Sequence, residues 1–114
     1  MLLAALATVV IASCYDGDTC ITTTGERVRL ACIDTPELIG KRAKPMPARA
    51  ARDHLRGLVV GKEVGIRRIT EDRYGRTVAE LFIGTTNVQQ KMVATGHAEI
   101  YWRYAYQCPW IGHQ

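Results

Sequence analysis

A chain of 114 residues, 47% hydrophobic and 23% charged, is one globular domain, large enough to bury a core and too small for two. That balance excludes both a disordered chain and a membrane bundle. A formal charge of +4 and a pI near 9.0 point to polyanionic partners, and the placement of the charges carries more information than their sum.

Residues 1–13 are almost wholly apolar, and Ile11-Ala12-Ser13-Cys14 resembles a bacterial lipoprotein cleavage box without the charged residues that precede an export signal. Two readings stay open. One is an export signal overlapping the domain start, which inclines localisation to secreted, periplasmic or membrane-attached. The other is an apolar leader over residues 1–7 that runs into a buried first strand. The stretch is short for a transmembrane helix.

Residues 8–15 read as a strand from their β-branched content, and Asp16-Gly17 is a two-residue hairpin signal. Residues 19–24 return as a second strand. A turn at Thr24-Gly25-Glu26 leads to a third over 27–33, alternating Val28, Leu30 and Cys32 against Arg29, Ala31 and Ile33. Pro36 stops it, and residues 38–46 form a basic loop carrying Lys41, Arg42 and Lys44 beside the site. Pro47 opens a helix that buries Ala48, Ala51, Leu55 and Leu58 and ends at Gly57. Strands follow over 60–69 and 77–83, joined by a turn over 72–75. Asn87 then caps a second helix, with Gln90 in a capping-box relation, Val88, Met92 and Val93 available for burial, and Gly96 at its end. The result is a mainly β fold with helices (α+β), a five-stranded OB-type barrel with two helices.

Cys14, Cys20, Cys32 and Cys108 lack the close C-x-x-C spacing of a zinc ribbon or redox motif. Cys14 and Cys20 bracket the Asp16 turn closely enough for a cross-hairpin disulfide. Cys32 lies in an apolar strand, and the favoured reading is buried, reduced thiols.

Three stretches carry chemistry: Asp16-Gly17-Asp18-Thr19, then Arg29 through Asp34-Thr35-Pro36-Glu37, then Asp72-Arg73-Tyr74-Gly75-Arg76. Asp18 after a tight turn and Asp34 at a strand end project short carboxylates, and the Thr35 carbonyl is a further oxygen ligand suited to a hard cation such as calcium, which binds oxygen at about 2.3 to 2.6 Å. Glu37, held by Pro36, is placed to orient or deprotonate a water. Arg29 and Arg76 offer bidentate recognition of phosphate and stabilisation of a more highly charged transition state. Tyr74, Tyr101, Trp102 and Tyr104 can stack on bases, with core packing the plain alternative.

In order and separation these stretches resemble the signature of the staphylococcal nuclease (thermonuclease-like) family: D-G-D-T, R-x-x-x-x-D-T-P-E and D-[RK]-Y-G-R, over residues 8–104. The resemblance implies that Asp18, Asp34 and the Thr35 carbonyl bind Ca2+, that Glu37 acts on the attacking water, and that Arg29 and Arg76 hold the scissile phosphate. It further implies that Arg73, Tyr74 and Tyr104 contact substrate, with Trp102 where a tyrosine is usual. The implied activity is hydrolysis of DNA and RNA to 3′-phosphate products. Only a tail over 105–114 remains where many members carry a third helix, so that helix is expected to be missing.

The expected protein is therefore a calcium-dependent nuclease of low sequence specificity, since nothing supplies an element for reading base edges in a groove. Single-stranded or frayed DNA and RNA are the expected partners, with a monomer and no obligate protein partner. The alternative is a noncatalytic OB-fold nucleic-acid-binding module.

Overall fold

Short strands rich in β-branched residues pair, mostly antiparallel, around a main hydrophobic core. A computed structural model describes residues 6–112, so most of the apolar leader lies outside the described residues. In chain order the elements are β1 (Ala7–Cys14), β2 (Thr19–Thr22), β3 (Arg27–Leu30), β4 (Ile33–Asp34) and α1 (Pro45–Val59). Next come β5 (Glu63–Glu71), β6 (Thr77–Ile83), β7 (Thr86–Asn87), α2 (Val88–Ala94), β8 (Glu99–Ile100) and a 3-10 helix (Trp102–Gln107).

β1 lies between β2 and β5, and β5 pairs with β6, all antiparallel. Parallel pairing of β3 with β6, Val28 opposite Thr77 and Leu30 opposite Ala79, closes these strands into the expected five-stranded barrel. Register shifts between Ile11 and Ser13 and between Arg68 and Thr70 give β1 and β5 the bends that closure requires. Ile11, Val28, Leu30 and Leu81 fill the interior, covered by Leu55 and Val59 of α1 and by Val88 and Met92 of α2.

The third strand ends at Leu30, short of the expected residue 33. Cys32 adopts φ 67°, in the left-handed region, and the chain resumes as β4 against β8. The turn lets Ala31, Cys32 and Ile33 all be buried, which a continued alternation of faces would forbid. α1 begins at Pro45, ahead of the expected Pro47, since proline suits the first helical positions. It also runs through Gly57: Val59, four residues after Leu55, takes the buried position expected for Leu58. The helix ends at Val59, with Val60 extended and Gly61 following at φ 78°. Asn87 caps α2 as expected, its Oδ1 accepting the Gln90 N–H at 3.0 Å.

Both cysteine pairs are oxidised, which corrects the reduced-thiol expectation: Cys14 bonds Cys20 and Cys32 bonds Cys108. The first pair faces across β1 and β2, and the second spans 76 residues, beyond the reach of any local spacing. By chain entropy the long closure contributes about 4 kcal/mol and the short one about 2 kcal/mol. Around Cys32 and Cys108 a second small core gathers Ala31, Ala105 and Ile111. Among the described residues no third α-helix follows α2, and the 3-10 helix and tail pack through Ala105, Cys108 and Ile111 against Ala31 and Cys32. Among them, too, no helix is long and apolar enough to cross a membrane.

Candidate active site

The β1–β2 loop exists to place one carboxylate. Asp18 is 6% exposed, and its backbone carbonyl accepts the Leu30 N–H at 2.8 Å, which pins the loop beside β3. Its Oδ2 accepts the Thr35 N–H at 3.2 Å and the Thr35 hydroxyl at 3.0 Å, while Oδ1 accepts the Thr19 hydroxyl at 3.2 Å. Gly17 makes this approach possible. A Cβ there would sit 2.8 Å from the Ala51 Cβ and 2.9 Å from the Thr35 Cγ2. Gly17 does not take the positive φ that a type I′ hairpin turn needs, so its role is close approach and not the turn geometry expected from Asp16-Gly17.

Arg29, on β3, reaches both carboxylates, with Nη2 3.5 Å from Asp18 Oδ2 and 3.9 Å from Asp34 Oδ1. Its Nη1 donates to the Leu30 carbonyl at 2.7 Å, which fixes the guanidinium's direction. Burial pushes the Asp16 carboxyl up to about 6, and the charge of Asp18 adds to that. Burial, then Asp18, raise Asp34 as well, against the pull of Arg29. Exposed Glu37 also raises Asp34, and its backbone carbonyl accepts the Lys44 N–H at 2.9 Å.

Arg29 also lines a cleft of about 860 Å³ together with Arg73, Tyr74, Arg76, Arg103, Tyr104 and Tyr106. The β5–β6 turn builds one wall. Asp72 Oδ1 accepts the Tyr74 and Arg76 N–H groups at 2.9 and 3.0 Å, and Oδ2 accepts Arg76 Nε at 2.8 Å. Although burial works against it, the Arg76 backbone and guanidinium bonds hold the Asp72 carboxyl below the usual range. Arg73 and Arg76 lie over the Tyr74 ring at 4.9 and 5.4 Å.

The structure therefore joins Asp18, Asp34, Thr35 and Arg29 into one cluster, and Arg29, Arg73, Tyr74, Arg76 and Tyr104 into one cleft. Trp102 lines a different groove, with Val93, Ala94, Ile100 and Trp110, and is 68% exposed. Sequence reasoning missed Asp16, whose Oδ1 accepts the Asp18 N–H at 3.1 Å, although its D-x-D spacing from Asp18 was visible. It also missed Arg103 and Tyr106, which lie outside the motifs.

The Asp18 and Asp34 carboxylates meet at Arg29, and an all-oxygen donor set of this kind fits a hard divalent cation. Among the described residues no three His, Cys, Asp or Glu side chains gather into a complete cage. A cation held by Asp18, Asp34 and the Thr35 carbonyl would therefore keep several waters.

Residues 27–109 match the family described as staphylococcal nuclease homologue, a span that holds every site residue above except the Asp16–Thr19 loop. Over 78 residues the chain is 37% identical to a staphylococcal-like nuclease of Arabidopsis thaliana, covering 68% of this chain and 22% of that protein. It is 37% identical over 79 residues to an uncharacterized endonuclease of Escherichia coli, covering 68% and 48%. To an uncharacterized endonuclease of Haemophilus influenzae it is 36% identical over 98 residues, covering 80% and 51%. The chain spans about a fifth to a half of the length of these relatives.

Proposed function

This chain belongs to the staphylococcal nuclease homologue family, and from that premise we propose that it is a calcium-dependent nuclease hydrolysing phosphodiester bonds of DNA and RNA with low sequence specificity. The observation that carries the reading is Arg29, which touches the Asp18 and Asp34 carboxylates and at the same time lines the arginine-rich cleft. A phosphate bound by Arg29 sits in the cleft that Arg76 also lines.

Asp18, Asp34 and the Thr35 carbonyl are the proposed Ca2+ ligands. When bound, the ion supplies Lewis-acid polarisation of a phosphoryl oxygen. Glu37 is the proposed general base. It takes the proton of the attacking water as the water oxygen bonds to phosphorus, in line with the departing 5′ oxygen. Arg29 and Arg76 donate to the non-bridging oxygens, and their hydrogen bonds strengthen as negative charge builds there. Breaking the bond to the 5′ oxygen, which takes up a proton from water, leaves a 3′-phosphate on one product and a 5′-hydroxyl on the other. Arg73, Tyr74 and Tyr104 are proposed to hold flanking nucleotides, as is Trp102 if a strand extends to its groove. Export, with a monomer as the working unit, completes the reading, and the two disulfides accord with an oxidising compartment.

End-group analysis tests the chemistry. Products formed with calcium should accept a 5′ label from polynucleotide kinase without prior phosphatase treatment, and EDTA should abolish their formation. Products bearing 5′-phosphates, or cleavage indifferent to EDTA, contradict the assignment.

A further inference from the structure

Beside Tyr104, the cleft carries two residues to which the sequence assigned no role, Arg103 and Tyr106. The 3-10 helix presents Arg103, Tyr104 and Tyr106 to the cleft, with the Arg103 guanidinium 5.6 Å from the Tyr104 ring centre. Tyr106 is 71% exposed, a large aromatic surface left in water on a backbone that is held firmly. The Tyr101 N–H donates to the Cys32 carbonyl at 2.8 Å, Arg67 Nη2 donates to the Gln107 carbonyl at 2.8 Å, and Cys108 is bonded to Cys32 immediately beyond. Across the cleft, Arg73 and Tyr74 repeat the same pairing of guanidinium and tyrosine.

We propose that Tyr106 and Arg103 form a nucleotide-stacking subsite for a single nucleic-acid strand, reached by nucleotides beyond the scissile phosphate. The inference rests on the nuclease reading and adds a subsite, with its two residues, to it. A fixed, exposed ring offers its face to any base, and the neighbouring guanidinium pairs with the phosphate of the same nucleotide. The strand must be single because bases in a duplex stack on each other and leave no face for Tyr106. The cleft volume also falls in the range that encloses small ligands, with room for a few nucleotides of one strand. Its four arginines against Glu71 and Asp72 give the net positive charge that a polyphosphate strand requires.

The test is steady-state cleavage of single-stranded oligonucleotides from a dinucleotide to an octamer by the wild type, Tyr106→Ala, Tyr106→Phe and Arg103→Ala. The expected result is a KM penalty that grows with length. For Tyr106→Ala it should reach about tenfold or more on the octamer, the scale of one base stacked on an aromatic ring, with kcat little affected and Tyr106→Phe restoring affinity. Arg103→Ala should raise KM on the octamer and flatten its salt dependence. Equal penalties at all lengths, or none on the octamer, would overturn the proposal. If the wild type cuts nothing, the nuclease reading has failed, and octamer binding by fluorescence anisotropy decides the subsite separately. An approximately tenfold loss in Tyr106→Ala then upholds it, and unchanged binding overturns it.

Discussion

Thr35 donates both its backbone N–H and its hydroxyl to one carboxylate oxygen of Asp18, at 3.2 and 3.0 Å, across 17 residues of sequence. This clamp ties the first acidic stretch to the second, so the proposed metal ligands arrive together as a consequence of the fold. Thr35→Val keeps the shape of the side chain and removes the hydroxyl donor. It should cost about 1.5 to 3 kcal/mol, the range for hydrogen bonds to charged groups. Thermal unfolding reads this as a fall of roughly 4 to 8 °C per kcal/mol.

The two glycines near α1 should respond in opposite directions. Gly17→Ala pushes a methyl group against Ala51 and Thr35 and should destabilise by about 1 to 3 kcal/mol while displacing Asp18. Gly57→Ala, in the interior of α1 with open space around it, should stabilise by about 0.5 to 1 kcal/mol. Urea midpoints of the two variants check both signs.

Glu80 joins the barrel to the tail. Nearly fully buried, it accepts Arg67 Nη2 at 2.6 Å, Asn87 Nδ2 at 2.9 Å and Trp110 Nε1 at 2.7 Å. Removing the carboxylate leaves the Asn87 and Trp110 donors without their partner, while the partly exposed Arg67 keeps the Gln107 carbonyl and water. Glu80→Ala should therefore cost about 1 to 3 kcal/mol, measured by denaturant unfolding.

Acid stability should depend in part on Glu26. The Arg68 guanidinium, bonded at 2.7 and 2.8 Å, holds this carboxyl below its ordinary 4.5, with help from the Thr77 hydroxyl against the effect of burial. A depressed folded pKa contributes stability that is full above the unfolded value and is lost as pH falls through the folded one. Thermal midpoints of the wild type should therefore exceed those of Glu26→Gln at neutral pH and converge with them at the acid end. Solvent screening keeps the neutral-pH difference to about 1 kcal/mol or less.

What was legible in the sequence was local. The bounds of β6, the Asn87 cap of α2 and the succession of strands and helices along the chain followed from alternation and turn chemistry. So did the acidic and arginine motifs, since each lies within a few residues. What escaped depends on distant partners. Nothing near Glu80 in the chain marks it as buried, because Trp110, which bonds it, lies 30 residues away. Gln89 is fully buried, bonded to the Leu81 N–H and carbonyl, partners eight residues back on another element. Cys108 gave no sign that Cys32 was its partner, and Tyr106 none that it lines the cleft. Gly17 was conspicuous for the wrong reason, since its lack of a side chain serves packing against α1 and not a positive φ.

The most direct test of the central claim is cleavage of single-stranded DNA and RNA by the purified chain with calcium, with EDTA, and in Glu37→Gln and Arg76→Ala. The account predicts cutting that requires calcium and falls at least about a hundredfold in each variant, the scale of losing a general base or a transition-state cation. Cutting unchanged in both variants, or no cutting by a folded chain that still binds the strand, would contradict it, the second result favouring a noncatalytic binding module.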